Sequence, residues 1–112
     1  MAMSRTITNI YEADYNIYDM DGPVQKNMGM INISWNRKTG KGCYIIKMDP
    51  GAETIAHTHK HMEDYLIIEG DLIESDGTVL KKGDVVSYQP GTSHNSRTES
   101  GCLLIGVDWN SN

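Results

Sequence analysis

Apolar and polar residues alternate with a period of two along most of the chain, the pattern of half-buried β-strands. Between Met28 and Trp35, Ile31, Ile33 and Trp35 alternate with Asn32 and Ser34, and a polar, glycine-bearing turn follows from Arg37 to Gly42. Tyr44, Ile46 and Met48 then alternate with Ile45, Lys47 and Asp49 until Pro50-Gly51 stops the strand. Tyr65 to Ile68 is a β-rich run that closes at Gly70. Leu72-Ile73 leads into Ser75-Asp76-Gly77-Thr78, whose Asp-Gly pair is a hairpin signal. Lys82-Gly83-Asp84 turns the chain before Val85 to Tyr88, and Pro90-Gly91 breaks it again. Leu103, Ile105, Val107 and Trp109 predict a last strand with one clean apolar face. About eight short strands with regular turns and no amphipathic helix predict an all-β sandwich or barrel. Residues 11 to 27 fit this pattern least and suit edge strands, a lid or a dimer contact.

Composition narrows the picture. A length of 112 residues predicts a single domain (1–112) with chain enough for one core. The hydrophobic share of 38% and charged share of 22% are ordinary for a globular protein. A formal charge of −5 argues against a nucleic-acid surface. The basic clusters, Arg37-Lys38-Thr39-Gly40-Lys41 and Lys81-Lys82, fall where turns are predicted and read as solvated tips. No apolar run approaches the roughly 18 residues that a membrane-spanning helix needs. The start, Met-Ala-Met-Ser-Arg-Thr, lacks a charged segment followed by an apolar block, so no secretion signal is expected. Cys43 and Cys102 each sit in an apolar stretch and read as buried reduced thiols. A cytoplasmic location follows as the expectation.

His57, His59, Glu63 and His94 carry the candidate chemistry. Two positions apart on an extended strand, His57 and His59 present their imidazoles to one face. Glu63 cannot join them on a straight strand, since six extended residues span about 20 Å and a coordination sphere is only about 4 Å across. The chain must turn near Lys60-His61-Met62, and His94 must arrive from another strand. His61 continues the odd-numbered series, but the turn places it at the bend, facing solvent. Neutral imidazoles and a carboxylate suit a single divalent ion, and iron, zinc, manganese and nickel all accept this donor set. Four such ligands on an octahedral ion leave two adjacent positions for water or substrate.

The frame around these residues resembles a family signature. Gly51, His57-Thr58-His59, Glu63 and Gly70 are similar to the first motif of the cupins, and Gly83 … Pro90-Gly91-Thr92-Ser93-His94 is similar to the second. Two departures, Pro90 directly before Gly91 and Thr98 where asparagine is common, leave the ligands untouched. Gly70-Asp71, Asp76-Gly77, Gly83-Asp84 and Gly101-Cys102 resemble the subgroup that includes the cupin half of zinc-dependent anti-sigma factors and the acetylacetone-cleaving dioxygenases. The resemblance covers roughly residues 43 to 108. It implies a double-stranded β-helix, or jelly-roll barrel, with the ion in its mouth, and a homodimer built through residues 4 to 20. Glu63 favours the anti-sigma arrangement, because the dioxygenases resemble three-histidine sites.

Tyr65, two positions after Glu63, should face the cavity beside the ion, either as a packing aromatic or as a general base or hydrogen-bond donor. A base would need its pKa lowered from about 10. Cupin lyases that cleave dimethylsulfoniopropionate resemble this placement. Tyr44, Met48, Ile67 and Tyr88 are candidates to line the substrate cavity, set against core packing as the plainer role. The resemblance implies a small metal-dependent enzyme acting on a small oxygenated molecule, most concretely dioxygen cleavage of a β-dicarbonyl. A lyase using Tyr65, a non-catalytic sensor or ligand-binding module, and a purely structural ion are the other readings.

Overall fold

The computed structural model describes residues 3–110, and every regular element among them is a β-strand. In order these are β1 (Asn16–Tyr18), β2 (Gln25–Asn32), β3 (Gly42–Met48), β4 (His57–Thr58), β5 (Met62–Glu74), β6 (Val79–Lys81), β7 (Val85–Tyr88), β8 (Ser93–His94), β9 (Ser96–Arg97) and β10 (Cys102–Trp109). The main sheet runs β1-β2-β3-β10-β5-β6, with β7 and β9 also laid against β5. A separate ladder joins β4 to β8. All pairings are antiparallel, and the sheet curls into a jelly roll. Among the described residues no helix is long and apolar enough to cross a membrane.

β5, with 13 residues, serves both sides of the curl. Its first part, around Glu63–Leu66, pairs with β10 and β7, and its second, Asp71–Glu74, pairs with β6 and β9. Between them β10 loses register at Leu103/Leu104, a bulge of the kind that bends a strand and increases its twist. Gly70 marks this corner with φ +80°, and a side chain there would strike the Gly101 carbonyl. Only glycine fits both constraints.

The barrel interior is filled by Tyr44, Ile46 and Met48 of β3, Tyr65, Ile67 and Leu72 of β5, and Cys102 and Leu104 of β10. Full burial of a side chain such as Ile67 contributes about 1.5–3 kcal/mol. On the outer face Ile31, Ile45 and Leu103 are covered by Ile10, Ala13 and Tyr15. Residues 16–18 of the ambiguous N-terminal stretch thus form an edge strand, while 10–15 shield the back of the sheet.

Two strand expectations need correction. β2 ends at Asn32 and does not run on to Trp35. The backbone N–H groups of Ile33 and Ser34 both donate to the Cys43 carbonyl (3.1 and 3.0 Å), and the Asn32 amide brackets Trp35 with two bonds of 2.8 Å. On β10, Leu103, Ile105, Val107 and Trp109 are the outward series, and Val107 and Trp109 are exposed. Both faces of the first half of this strand are covered, so its sequence is apolar throughout and parity does not identify the interior. Gly106 belongs to the interior series because the Tyr44 ring lies against it, leaving no room for a Cβ.

Candidate metal centre

His57 and His94 are direct partners in the β4–β8 ladder, which sets their rings 4.7 Å apart. His59 lies just beyond β4, held by backbone bonds to Thr92 and Gly91 (2.9 and 2.8 Å). The chain then bends at Lys60-His61, and β5 carries Glu63 back beside the histidines. His59 Nε2 lies 3.0 Å from His57 Nε2, 2.8 Å from His94 Nε2 and 3.1 Å from Glu63 Oε1. All four ligand atoms fall within 4.8 Å of one another. His61 sits at the bend, with its Nε2 3.0 Å from the Thr39 carbonyl, apart from this cluster.

The donor set fits a divalent ion. With bonds of about 2.1 Å, neighbouring ligand atoms are about 3.0 Å apart on an octahedral ion and about 3.4 Å apart on a tetrahedral one. The three spacings from His59 lie near the octahedral value. The outer nitrogens support the same arrangement: His57 Nδ1 lies 3.3 Å from the Ile55 carbonyl and His94 Nδ1 2.6 Å from Glu74 Oε2. Protons on those Nδ1 atoms leave lone pairs on the converging Nε2 atoms. Glu63 Oε1 and His59 Nδ1 are buried with no hydrogen-bond partner among the described residues, a costly state for polar atoms that a cation on the first of them would relieve.

Register also places the neighbours of Glu63. Asp108 of β10 stands directly opposite it on one side and Tyr88 of β7 on the other. Burial and the adjacent charge of Glu63 push the Asp108 carboxyl up to about 8. Burial also works against ionised Glu63, but the close approach of His59 outweighs it and holds its carboxyl below the usual range. Tyr44 donates to Asp108 Oδ1 at 2.7 Å. Sequence reasoning missed Asp108, because its strand was given the opposite apolar face. Tyr65 is buried beside Glu63, and burial followed by the Glu63 charge raises its pKa well above 10. Its hydroxyl therefore keeps its proton, where a general base would need the opposite shift. Tyr44, Met48 and Ile67 lie in the apolar core. Tyr88 donates to Glu74 Oε1 at 2.5 Å, and its ring packs 4.5 Å from that of His94.

Other residues wall the cleft above the cluster. It encloses about 380 Å³ and is bounded by Met20, Asp21, Trp35, Arg37, Lys38 and Lys60. The basic turn read as a solvated tip is thus one wall of the site. Arg37 pairs with Asp19 at 2.8 Å and lies over the Trp35 ring at 5.3 Å, which folds the turn inward. A small molecule fits this volume.

Comparisons with known proteins agree with the architecture. A family profile described as the ChrR cupin-like domain matches residues 21–111. An RmlC-like cupin from Shewanella frigidimarina NCIMB 400 superposes with a TM-score of 0.72 at 22% identity, covering 100% of this chain and 96% of that one. An acetylacetone dioxygenase from Acinetobacter johnsonii gives a TM-score of 0.73 at 11% identity, covering 96% and 76%. The complex of Rhodobacter sphaeroides SigE with the anti-sigma ChrR gives 0.71 at 11% identity, covering 90% and 52%. No curated protein matches the sequence. At such identities the structural likenesses establish the jelly-roll fold alone.

Proposed function

We propose, on the premise that this chain belongs to the ChrR cupin-like domain family, that it is a metal-dependent enzyme acting on a small oxygenated molecule. One divalent ion (iron, zinc, manganese or nickel) is held by His57, His59, Glu63 and His94. The observation that carries this reading is the convergence of three imidazole nitrogens and one carboxylate oxygen, with the outer nitrogens of His57 and His94 engaged elsewhere. A bound ion of this kind supplies Lewis acidity toward a carbonyl or enolate, and redox chemistry with dioxygen if it is iron. The chain's own residues do the rest. Trp35 and Met20 give the cleft apolar wall, the buried Trp35 N–H has no partner among the described residues, and Tyr65 retains a hydroxyl proton beside Glu63.

Cleavage of a β-dicarbonyl by dioxygen is the most concrete form of the proposal. The bond between one carbonyl carbon and the central carbon breaks, and both oxygen atoms enter the products, a carboxylic acid and a 1,2-dicarbonyl. Iron-reconstituted protein given acetylacetone should consume one dioxygen per diketone, followed with an oxygen electrode, and His59→Ala should abolish the uptake. Absence of uptake by iron-loaded wild type removes the dioxygenase form. A second reading, a ligand or metal sensor, is supported by the family profile and by the likeness to ChrR in its complex with SigE. A lyase in which Tyr65 takes a proton has less support, since that hydroxyl holds its own.

A further inference from the structure

We propose that Glu74 is a positioning residue of the metal centre, fixing His94 through Nδ1 and adding a second negative charge behind the ligand set. The inference rests on the metal-centre reading above and concerns a residue outside the four ligands.

Glu74 ends β5, two positions after Leu72 and on the same inward face. Parity there calls for an apolar side chain, yet a carboxylate stands in its place with 9% of the residue exposed. Burying a carboxylate is costly unless donors compensate it, and a well-packed apolar residue often stabilises a fold as much or more. Three donors surround this one. His94 Nδ1 approaches Oε2 at 2.6 Å, Ser96 Oγ reaches Oε2 at 3.0 Å and Tyr88 donates to Oε1 at 2.5 Å. Each arrives by strand register. Ser96 faces Glu74 across the β9–β5 ladder, His94 lies two residues before Ser96, and Tyr88 faces Glu63 across β7–β5. Both oxygens of Glu74 are therefore spoken for, and His94 is locked with Nε2 directed at His59. A carboxylate on the outer nitrogen fixes the tautomer of a ligating histidine and makes it a stronger donor.

The same register explains Tyr88. Its hydroxyl faces Glu74, away from the cleft, while its ring supports His94 and His59 at 4.5 and 5.0 Å. Tyr88 thus belongs to the support of His94.

The test combines cobalt(II) and zinc(II) titrations of wild type, Glu74→Gln and Tyr88→Phe with the cobalt absorption spectrum and nitrogen NMR of the metal-free histidines. Glu74→Gln should weaken both metals about 10- to 100-fold and shift the cobalt bands, and Tyr88→Phe should do so to a lesser degree. In metal-free wild type, His94 should carry its proton on Nδ1. Equal affinities with superimposable cobalt spectra, or His94 protonated on Nε2, overturn the proposal. If Glu74→Gln does not fold, Tyr88→Phe decides by the same measures. A wild type that takes up neither metal removes the metal centre and this role with it, and is told apart because the titration fails before any variant is compared.

Discussion

The two halves of β5 treat their carboxylates in opposite ways. In the second half, Asp71 accepts from the Thr98 and Ser100 hydroxyls at 2.6 and 2.8 Å and from the Ser100 N–H at 3.2 Å. These bonds, the Thr98 hydroxyl foremost, hold its carboxyl below the usual range. In the first half, Glu63 faces another acid across the ladder and has one oxygen without a donor among the described residues. The Asp108 carboxyl, pushed up to about 8 by burial and the Glu63 charge, must take up a proton to stand there at neutral pH. One half of the strand is therefore arranged for stability, and the other carries a cost that a bound cation would relieve. The difference marks the site on physical grounds independent of any relative.

The largest expected effect breaks the comparison at its root. His57→Ala with His59→Ala should cost more than the roughly 100-fold that loss of a ligand's supporting partner can cause, as read by calorimetry and metal analysis. Retained uptake means that the acids of the first half serve something else. Next, Asp108→Asn should raise the melting temperature of the metal-free protein, by about 4–8 °C for each kcal/mol relieved. The gain should shrink once metal is added, and an equal or lower melting point in the metal-free variant contradicts the proposed strain. The smallest effect probes the satisfied half. Asp71→Asn should cost about 1 kcal/mol at pH 7. Because the folded carboxyl lies below its ordinary value, its contribution is present above about pH 4 and is lost as pH falls through the folded value. Melting curves of variant and wild type should therefore approach each other as the pH falls below the ordinary carboxylate range; a constant difference there locates the stabilisation elsewhere.

Much of this molecule was legible from residue order. The Asp76-Gly77 hairpin and the bend at Lys60-His61 lie where turn chemistry and ligand reach placed them, whereas the run expected to close at Gly70 continues through it to Glu74. The cluster of His57, His59, Glu63 and His94 followed from spacing and motif. Cross-strand neighbours were not legible. Asp108 and Glu74 matter because of what register sets opposite or beside them, and register is invisible in one sequence. Parity also misled on β10, where the N-terminal segment covers the outer face and made the outward series look like the core. The contact of the basic turn with Asp19, through Arg37, joins residues 18 positions apart.

The β4–β8 ladder consists of two residue pairs, His57 with His94 and Thr58 with Ser93. It lies outside the main sheet, so parting it leaves the registers of β3, β10 and β5 untouched. An ion gripped by both of its histidines would therefore act as a clasp across this two-pair seam of the barrel. Admission to the pocket and retention of its guest would then be governed by the same few atoms.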